Sequence, residues 1–385
     1  TVLIDGLTVC LPPFFVMSGM FLYRPFARAI FAGTKRPAAV PFVWARVLRL
    51  VPAYYVLVVA SLLLLNANVI DGVWYVLRPI LMIHYYVPNV AWVTGIEPTW
   101  TVPTELLFYL TLPVMAWIIH RYARRAADPA SKARRMLVPL AFYLVGGALW
   151  TIFIYLPDTQ QTVMTWSMWY WPFGYWDAFG VGMIIATLAA YAEHSKKTPG
   201  IYRFVQRHPN ALWLAAGAIF LVNLPRVFGP VGMGDWAAFR QEQLIHYLVL
   251  LFGGLVILQL SVPNARSRVM DPVLNFTPIR YLGRISYGVY LWHIFALDMV
   301  MEQGSIFGNV PTPSPMLRGQ FGFWELELGT LALTIAIATV SYYVLERPIE
   351  RWRTRKNLTA AQMHEAAAAP VTPIAEKRTA ATVGE

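Results

Sequence analysis

The sequence predicts an all-α fold, a polytopic bundle of transmembrane helices, and three observations lead to this prediction. First, 57% of the 385 residues are apolar and only 13% are charged, whereas soluble domains carry about 25% charged residues. Second, apolar runs long enough to cross a bilayer recur along the chain. Third, the basic residues gather in every second connection between these runs. The excess apolar surface must therefore face lipid or neighbouring helices.

Nine apolar runs are long enough to span a membrane. They are 7–23, 50–66, 105–120, 136–156, 169–190, 210–224, 244–262, 281–300 and 326–345. The segment 78–88 is apolar but short and bounded by prolines, so we predict an interfacial or re-entrant piece there. The sequence thus predicts one membrane domain over 1–357. The Ala/Thr/Pro-rich remainder, 358–385, is predicted to be a mostly disordered cytoplasmic tail.

The first three runs each carry a polar feature. Ser18 and Gly19 interrupt the first run, where they permit either close helix approach or a local break. Arg46 and Arg49 precede the second run, three residues apart on one helical face. Glu105 begins the third run. The two arginines suit either a phosphate group or ordinary anchoring to acidic lipids.

The later runs are more uniformly apolar. The fifth begins in the aromatic segment WSMWYWPFGYWDAFG, which contains Asp177, and the eighth contains His293 beyond its midpoint. Ionisable groups at membrane depth are costly, so Glu105, Asp177 and His293 are candidate functional residues. Each has a simpler interpretation: a carboxylate favoured by the helix dipole for Glu105, part of an interfacial aromatic belt for Asp177, and a hydrogen-bonded interior histidine for His293.

The connections between the runs predict an orientation. Five segments hold 27 of the 31 Lys and Arg residues: 24–49, 120–135, 191–210, 261–284 and the chain from 346. This alternation predicts that these segments and the C-terminus are cytoplasmic. The Ala-rich composition, with more Arg than Lys, suggests a GC-rich bacterial source, so the expected membrane is the bacterial inner (plasma) membrane. The net charge of +11 is spread over short loops rather than one patch, which argues against nucleic-acid binding.

The predicted orientation also bears on the number of helices. With this orientation residue 1 lies on the outer side, so we expect a further helix upstream and ten helices in all.

The single cysteine, Cys10, excludes an internal disulfide, and no His/Cys cluster has metal-binding spacing. The chain contains no GxSxG, Walker or HExxH motif, so hydrolase and P-loop classes are not indicated.

Five segments in order then show a resemblance: FFVMSGMFLYRPF, RVLRLVPAYY, TWTVPTELLFYLTLP, YLGRISYGVYLWH and LERPIE. Together they resemble the membrane-bound acyltransferase-3 family, O-acyltransferases that modify envelope glycans and glycolipids. The resemblance implies transfer of an acyl group, mainly acetyl, from cytoplasmic acyl-CoA to a hydroxyl of an envelope glycan or glycolipid, without a metal. A mycobacterial trehalose mycolate acetyltransferase is one member type that fits.

The resemblance also implies roles for particular residues. Glu105 and His293 match catalytic or supporting positions. The donor would meet Arg46, Arg49, Ser18, Gly19 and Arg284, whereas the acceptor would meet Trp100, Tyr287, Tyr290 and Asp177.

One departure from the family pattern bears on catalysis. The family's catalytic histidine lies on its first helix, and this sequence has no histidine before His84. We therefore expect that base upstream of residue 1. Two alternatives remain open: a glycolipid transporter or flippase that uses the buried Glu and His as a proton relay, and a catalytically inactive membrane scaffold.

Overall fold

The computed structural model describes residues 11–87, 93–162, 166–195, 197–223, 234–301, 323–353 and 355, and all structural statements concern these. Their regular elements are helices without any strand, which confirms the all-α prediction. The α-helices are α1 Leu11–Ala32, α2 Ala39–Leu64, α3 Val73–Ile80, α4 Thr101–Ala123, α5 Pro129–Tyr155, α6 Pro157–Thr162, α7 Trp176–Ser195, α8 Gly200–Arg207, α9 Ala211–Asn223, α10 Trp236–Ser261, α11 Met270–Asn275, α12 Thr277–Met301 and α13 Phe323–Ser341.

The described part of each of the nine predicted runs overlaps one of these helices. Within the described ranges, six helical units are long and apolar enough to cross a membrane. These are Ala39–Leu64, Glu97–Ala123, Pro129–Tyr155, Pro172–Ser195, Trp236–Ser261 and Leu326–Arg353. Helix α9 is apolar but has only 13 residues, whereas α1 and α12 have 22 and 25 residues and contain arginines. The bundle is therefore polytopic, while the count of nine spans stays a prediction.

The two largest differences from the predicted helix boundaries lie at the start of α2 and the end of α1. Helix α2 begins at Ala39 rather than near residue 50, so Arg46 and Arg49 lie within the helix. Helix α1 continues past residue 23 to Ala32. The apolar runs understate these ends because arginine can bury its alkyl stem in a helix while its charged group reaches a polar region.

Helices α1 and α7 pack at the centre of the core. A Cβ at Gly19 would overlap the backbone carbonyl of Phe179, and one at Gly182 would overlap that of Val16. Two backbones can approach this closely only where side chains are lacking. Helix α1 runs unbroken through Ser18 and Gly19. Of the two interpretations of this pair, close helix approach is therefore correct.

Lys35 and Arg36 of the α1–α2 connection line one cavity with Arg121 and Arg124 at the end of α4, so the connections 33–38 and 124–128 lie at one end of the bundle, here called the basic end. Lys132 Nζ donates to the carbonyl of Ile30 at 3.5 Å there, joining the start of α5 to the end of α1. At the opposite end of the bundle, residues 73–87 form the short helix α3 and a series of turns rather than a membrane-spanning helix. Residues 78–80 of the segment predicted as interfacial or re-entrant end this eight-residue helix, which is too short to cross a bilayer, and the placement of 78–88 stays a prediction.

Some predicted segments fall outside the described residues. They include positions 7–10 of the first run and the whole tail 358–385. The division into a domain over 1–357 and a tail accordingly stays a prediction.

Candidate functional site

Glu105 is the buried carboxylate at the centre of the candidate site. It lies one turn into α4 and is 2% exposed. Ser18 Oγ of α1 donates to its Oε1 at 3.0 Å, and the hydroxyl of Tyr109 donates to its Oε2. A carboxylate held by two hydroxyls inside a membrane bundle is fixed in direction. A carboxylate that only interacts with the dipole of its helix could remain exposed, so the burial of Glu105 is not explained by that interaction alone.

The arginines of α2 lie on the side of Glu105 that faces the basic end. Arg46 and Arg49 both interact electrostatically with Glu105. Arg49 is ten residues into α2, which is about 15 Å along the helix. The Nε of Arg46 is buried and has no hydrogen-bond partner in the described part of the chain. A buried guanidinium donor without a partner is a group that an anionic ligand can satisfy.

A cavity of about 240 Å³ opens beside Arg49 at the basic end. It brings together Arg49 of α2 and Arg284 of α12, both predicted as donor-binding residues. The other lining residues are Leu48, Tyr342, Glu346, Ile349, Glu350 and Arg353. The cavity has room for a phosphate group and a short length of chain. Here we call it the donor cavity.

Sequence reasoning did not assign roles to the donor-cavity residues that follow α13. Tyr342–Glu346 form a π-helical turn, a feature that frequently marks functional positions. Glu346 and Glu350 belong to the LERPIE segment, which begins at Leu345 and for which the resemblance implied no individual roles. Arg353 Nη1 also donates to the carbonyl of Ala45 at 3.0 Å, which ties this segment to α2.

The predicted residues of α12 lie along α2 and the start of α4. Tyr287 donates its hydroxyl to the carbonyl of Leu50 at 2.8 Å, and Tyr290 donates to that of Pro98 at 2.6 Å. His293 Nδ1 lies 2.6 Å from the carbonyl of Tyr290. Because a carbonyl only accepts, Nδ1 carries the proton and Nε2 of the neutral ring is an acceptor. Both tyrosines position α12, and their role in acceptor binding stays a prediction.

Trp100 belongs to an aromatic cluster next to Glu105. Its ring centroid lies 4.9 Å from Tyr175 and 5.7 Å from Tyr170, and Phe15 lies 4.8 Å from Tyr175. Nearby, Phe14 and Tyr290 stack with their ring centroids 6.1 Å apart. The cluster therefore lines the end of the bundle opposite the basic end.

Asp177 pairs with a histidine that sequence reasoning did not select. His246 Nε2 of α10 lies 2.7 Å from Asp177 Oδ2, and the backbone N–H of Ala178 donates to Oδ1 at 2.7 Å. Asp177 is 2% exposed, so its side chain lies inside the bundle rather than in an exposed aromatic belt. The two residues are 69 positions apart, and no local pattern could have joined them.

The donor role predicted for Ser18 and Gly19 stays a prediction. Ser18 binds Glu105, and Gly19 packs against Phe179.

Within the described ranges, no three His, Cys, Asp or Glu side chains come close enough to hold a metal ion.

His84 lies outside the spanning helices, in the turns after α3. Its Nε2 is 3.1 Å from Thr99 Oγ1. Burial, with a smaller contribution from Arg78, lowers the pKa of His84 to about 3. The ring is therefore neutral at physiological pH.

A helical, multi-pass membrane protein with a buried carboxylate and an arginine-lined cavity is the class that the fold and the site define. A family profile described as an acyltransferase domain matches residues 6–345. The chain therefore belongs to the acyltransferase-3 family, as the five segments suggested.

Two curated relatives are similar to parts of the chain. The peptidoglycan O-acetyltransferase OatA of Listeria monocytogenes is 20% identical over 318 residues, which cover 79% of this chain and 45% of that protein. A candidate peptidoglycan O-acetyltransferase of Bacillus subtilis, YrhL, is 32% identical over 85 residues, covering 22% and 11%. The chain thus spans less than half the length of the relatives it matches. No solved structure shows a significant match, and the trehalose mycolate type stays a prediction.

Proposed function

We propose that this domain is an O-acyltransferase that moves an acyl group, mainly acetyl, from cytoplasmic acyl-CoA to a hydroxyl of an envelope glycan or glycolipid. The observation that carries the proposal is the position of Arg49. It lines the donor cavity and also interacts electrostatically with buried Glu105. One side chain thus connects a site suited to phosphate with the carboxylate in the interior.

The donor cavity suits the phosphates of acyl-CoA. Arg49, Arg284 and Arg353 come from three different helical segments and converge on one space. Guanidinium groups bind phosphate oxygens through paired, charge-assisted hydrogen bonds. Glu346 and Glu350 partly offset these charges. The basic end then faces the cytoplasm, where acyl-CoA is available.

Acyl transfer needs a base for the attacking hydroxyl. The hydroxyl oxygen attacks the thioester carbonyl, its proton passes to a histidine, and the CoA thiolate leaves. The family resemblance assigns this base to a first-helix histidine. Glu105 positions that histidine or the acceptor, because Ser18 and Tyr109 fix the direction of its carboxylate. His293 Nε2, an acceptor in the neutral ring, supports the proton transfer.

The acceptor is expected at the opposite end. The cluster around Trp100, Tyr175 and Tyr290 offers aromatic faces, which pack well against sugar rings. Asp177 and His246 add polar groups on the neighbouring helices. Both relatives are named as peptidoglycan O-acetyltransferases. These names support our proposal that the acceptor is a glycan hydroxyl.

One observation favours a second candidate function, a glycolipid transporter. Asp177 is buried, His246 is partly buried, and the two have the residue types of a proton relay. A transporter would move the glycolipid without releasing CoA from acetyl-CoA. The two candidates are therefore separated by acceptor-dependent CoA release.

Donor binding tests the proposal through Arg49. In the purified protein, Arg49→Gln should weaken acetyl-CoA binding about 10-fold or more, because a charge-assisted hydrogen bond contributes roughly 1.5–3 kcal/mol. The matched control is Arg125→Gln, which removes an exposed basic-end charge that lines neither described cavity. Titration calorimetry measures both affinities. Equal affinity in wild type and Arg49→Gln would remove the donor assignment.

A further inference from the structure

A second cavity at the basic end is not used by the proposed reaction. Its volume is about 410 Å³, and it lies between the α1–α2 connection and the end of α4. It is lined by Lys35, Arg36, Trp117, His120, Arg121 and Arg124. Here we call it the interfacial cavity.

The charges of the interfacial cavity are all of one sign. Four lining residues are cations and none is acidic, in contrast to the donor cavity with its two glutamates. Within the described part of the chain, none of the four cations forms an ion pair. The Nδ1 atom of His120 is buried there and also has no hydrogen-bond partner among the described residues. Such a set of donors favours a multiply hydrogen-bonded anion.

The surface leading away from this cavity is apolar. On α4, Leu110, Val114, Trp117 and Ile118 are 58%, 59%, 45% and 42% exposed. Their spacing of three and four residues puts them on one helical face, and Arg121 continues that face into the cavity. An exposed apolar stripe on a membrane-spanning helix faces lipid chains. The cavity therefore lies where a bilayer changes from chains to head groups.

We propose that the interfacial cavity binds the phosphate head group of an anionic phospholipid, whose acyl chains lie along the α4 stripe. The arginines bind the phosphate oxygens, and Trp117, whose ring has the Arg121 guanidinium 6.0 Å from its centroid, packs at the head-group level. A soluble phosphate compound would gain nothing from the stripe, which favours a lipid as the occupant. The site does not depend on acyl transfer.

Lipid binding by the full chain tests this site. The protein is titrated in neutral detergent with phosphatidylglycerol or with phosphatidylcholine, and bound lipid is counted by native mass spectrometry. Arg121→Gln/Arg124→Gln should weaken phosphatidylglycerol binding roughly 30-fold, at about fivefold for each interfacial charge. The control Arg125→Gln/Arg134→Gln removes two exposed charges of the same end and should change the affinity less than twofold.

Further arms identify the anion and guard against misfolding. Trp117→Ala keeps every charge and should weaken phosphatidylglycerol binding severalfold, while phosphatidylcholine stays weakly bound throughout. Equal losses of phosphatidylglycerol affinity in the two double variants would show that the lipid responds only to the general positive charge of the surface, and would overturn the proposal. Loss of CoA binding with unchanged lipid binding in Arg121→Gln/Arg124→Gln would also overturn it, because the cavity would then serve the donor.

Discussion

At the residue scale, the site shows how far sequence patterns reach. Glu105, Arg49 and Arg284 were selected from motifs, and the structure connects Arg49 to each of the other two. The pairing of Asp177 with His246 depends on the packing of α7 against α10, which no spacing within the sequence encodes. Ser18 was selected together with its glycine neighbour as a packing feature, whereas its hydroxyl binds Glu105.

His84 makes a prediction about pH. Burial lowers its pKa to about 3 in the folded protein, while the unfolded chain has an ordinary value near 6.5. As the pH falls below about 6.5, His84 is protonated in the unfolded state but stays neutral in the folded state, so the free energy of unfolding decreases. At pH 5 the loss should be about 2 kcal/mol. Thermal unfolding at pH 7 and pH 5 measures it.

The control for this prediction is His84→Asn, which lacks the titrating ring. The stability difference between pH 7 and pH 5 should shrink by about the same amount, about 2 kcal/mol, in this variant. An unchanged pH dependence would show that folding does not lower the pKa of His84, and would contradict the neutral ring described for the fold.

At the element scale, the helices follow from hydropathy but their ends do not. Each apolar run lies largely on one of the thirteen described α-helices, because long apolar segments in a bilayer satisfy their backbone groups as helices. The start of α2 and the end of α1 lie in amphipathic sequence, where arginine stems replace apolar side chains. These extensions matter because they place Arg46 and Arg49 within α2, facing the interior carboxylate.

The contact between α1 and α7 gives a prediction about packing. In Gly182→Ala the new Cβ would overlap the carbonyl of Val16, so the two helices must separate. We expect a loss of about 1–3 kcal/mol in the free energy of unfolding. Gly217→Ala is the matched control, since nothing lies within 4 Å of its Cβ position in α9. That control should be neutral or stabilising by up to about 1 kcal/mol.

Both variants are measured by thermal unfolding in the same detergent. Equal stability of Gly182→Ala and Gly217→Ala would mean that α1 and α7 do not approach as closely as described. Ser18 and Glu105 sit on α1 and α4 beside this contact, so the same separation should also lower activity.

At the scale of the whole molecule, the two ends of the bundle have different chemistry. The basic end holds the donor cavity with Arg49 and Arg284 and the interfacial cavity with Arg121 and Arg124. The opposite end holds the aromatic cluster around Trp100. The loop charges predicted this asymmetry, whereas the cavities depend on how the helices pack and could not be predicted from composition.

The relation between the ends is the central claim. A donor bound at one end and an acceptor at the other can react only within the bundle, and Glu105 lies between the arginines of α2 and the aromatic cluster. A membrane transferase built in this way should release CoA only when both substrates are present. Transport or scaffolding would give no such dependence.

Acceptor-dependent CoA release from acetyl-CoA by the full-length protein tests this claim most directly. Soluble peptidoglycan fragments serve as the acceptor probe, and Glu105→Gln keeps the shape of the side chain while removing its charge. The wild type should release CoA only with acceptor present, and Glu105→Gln should lower that rate about 100-fold or more with unchanged thermal stability. Release at the wild-type rate by Glu105→Gln would contradict the account.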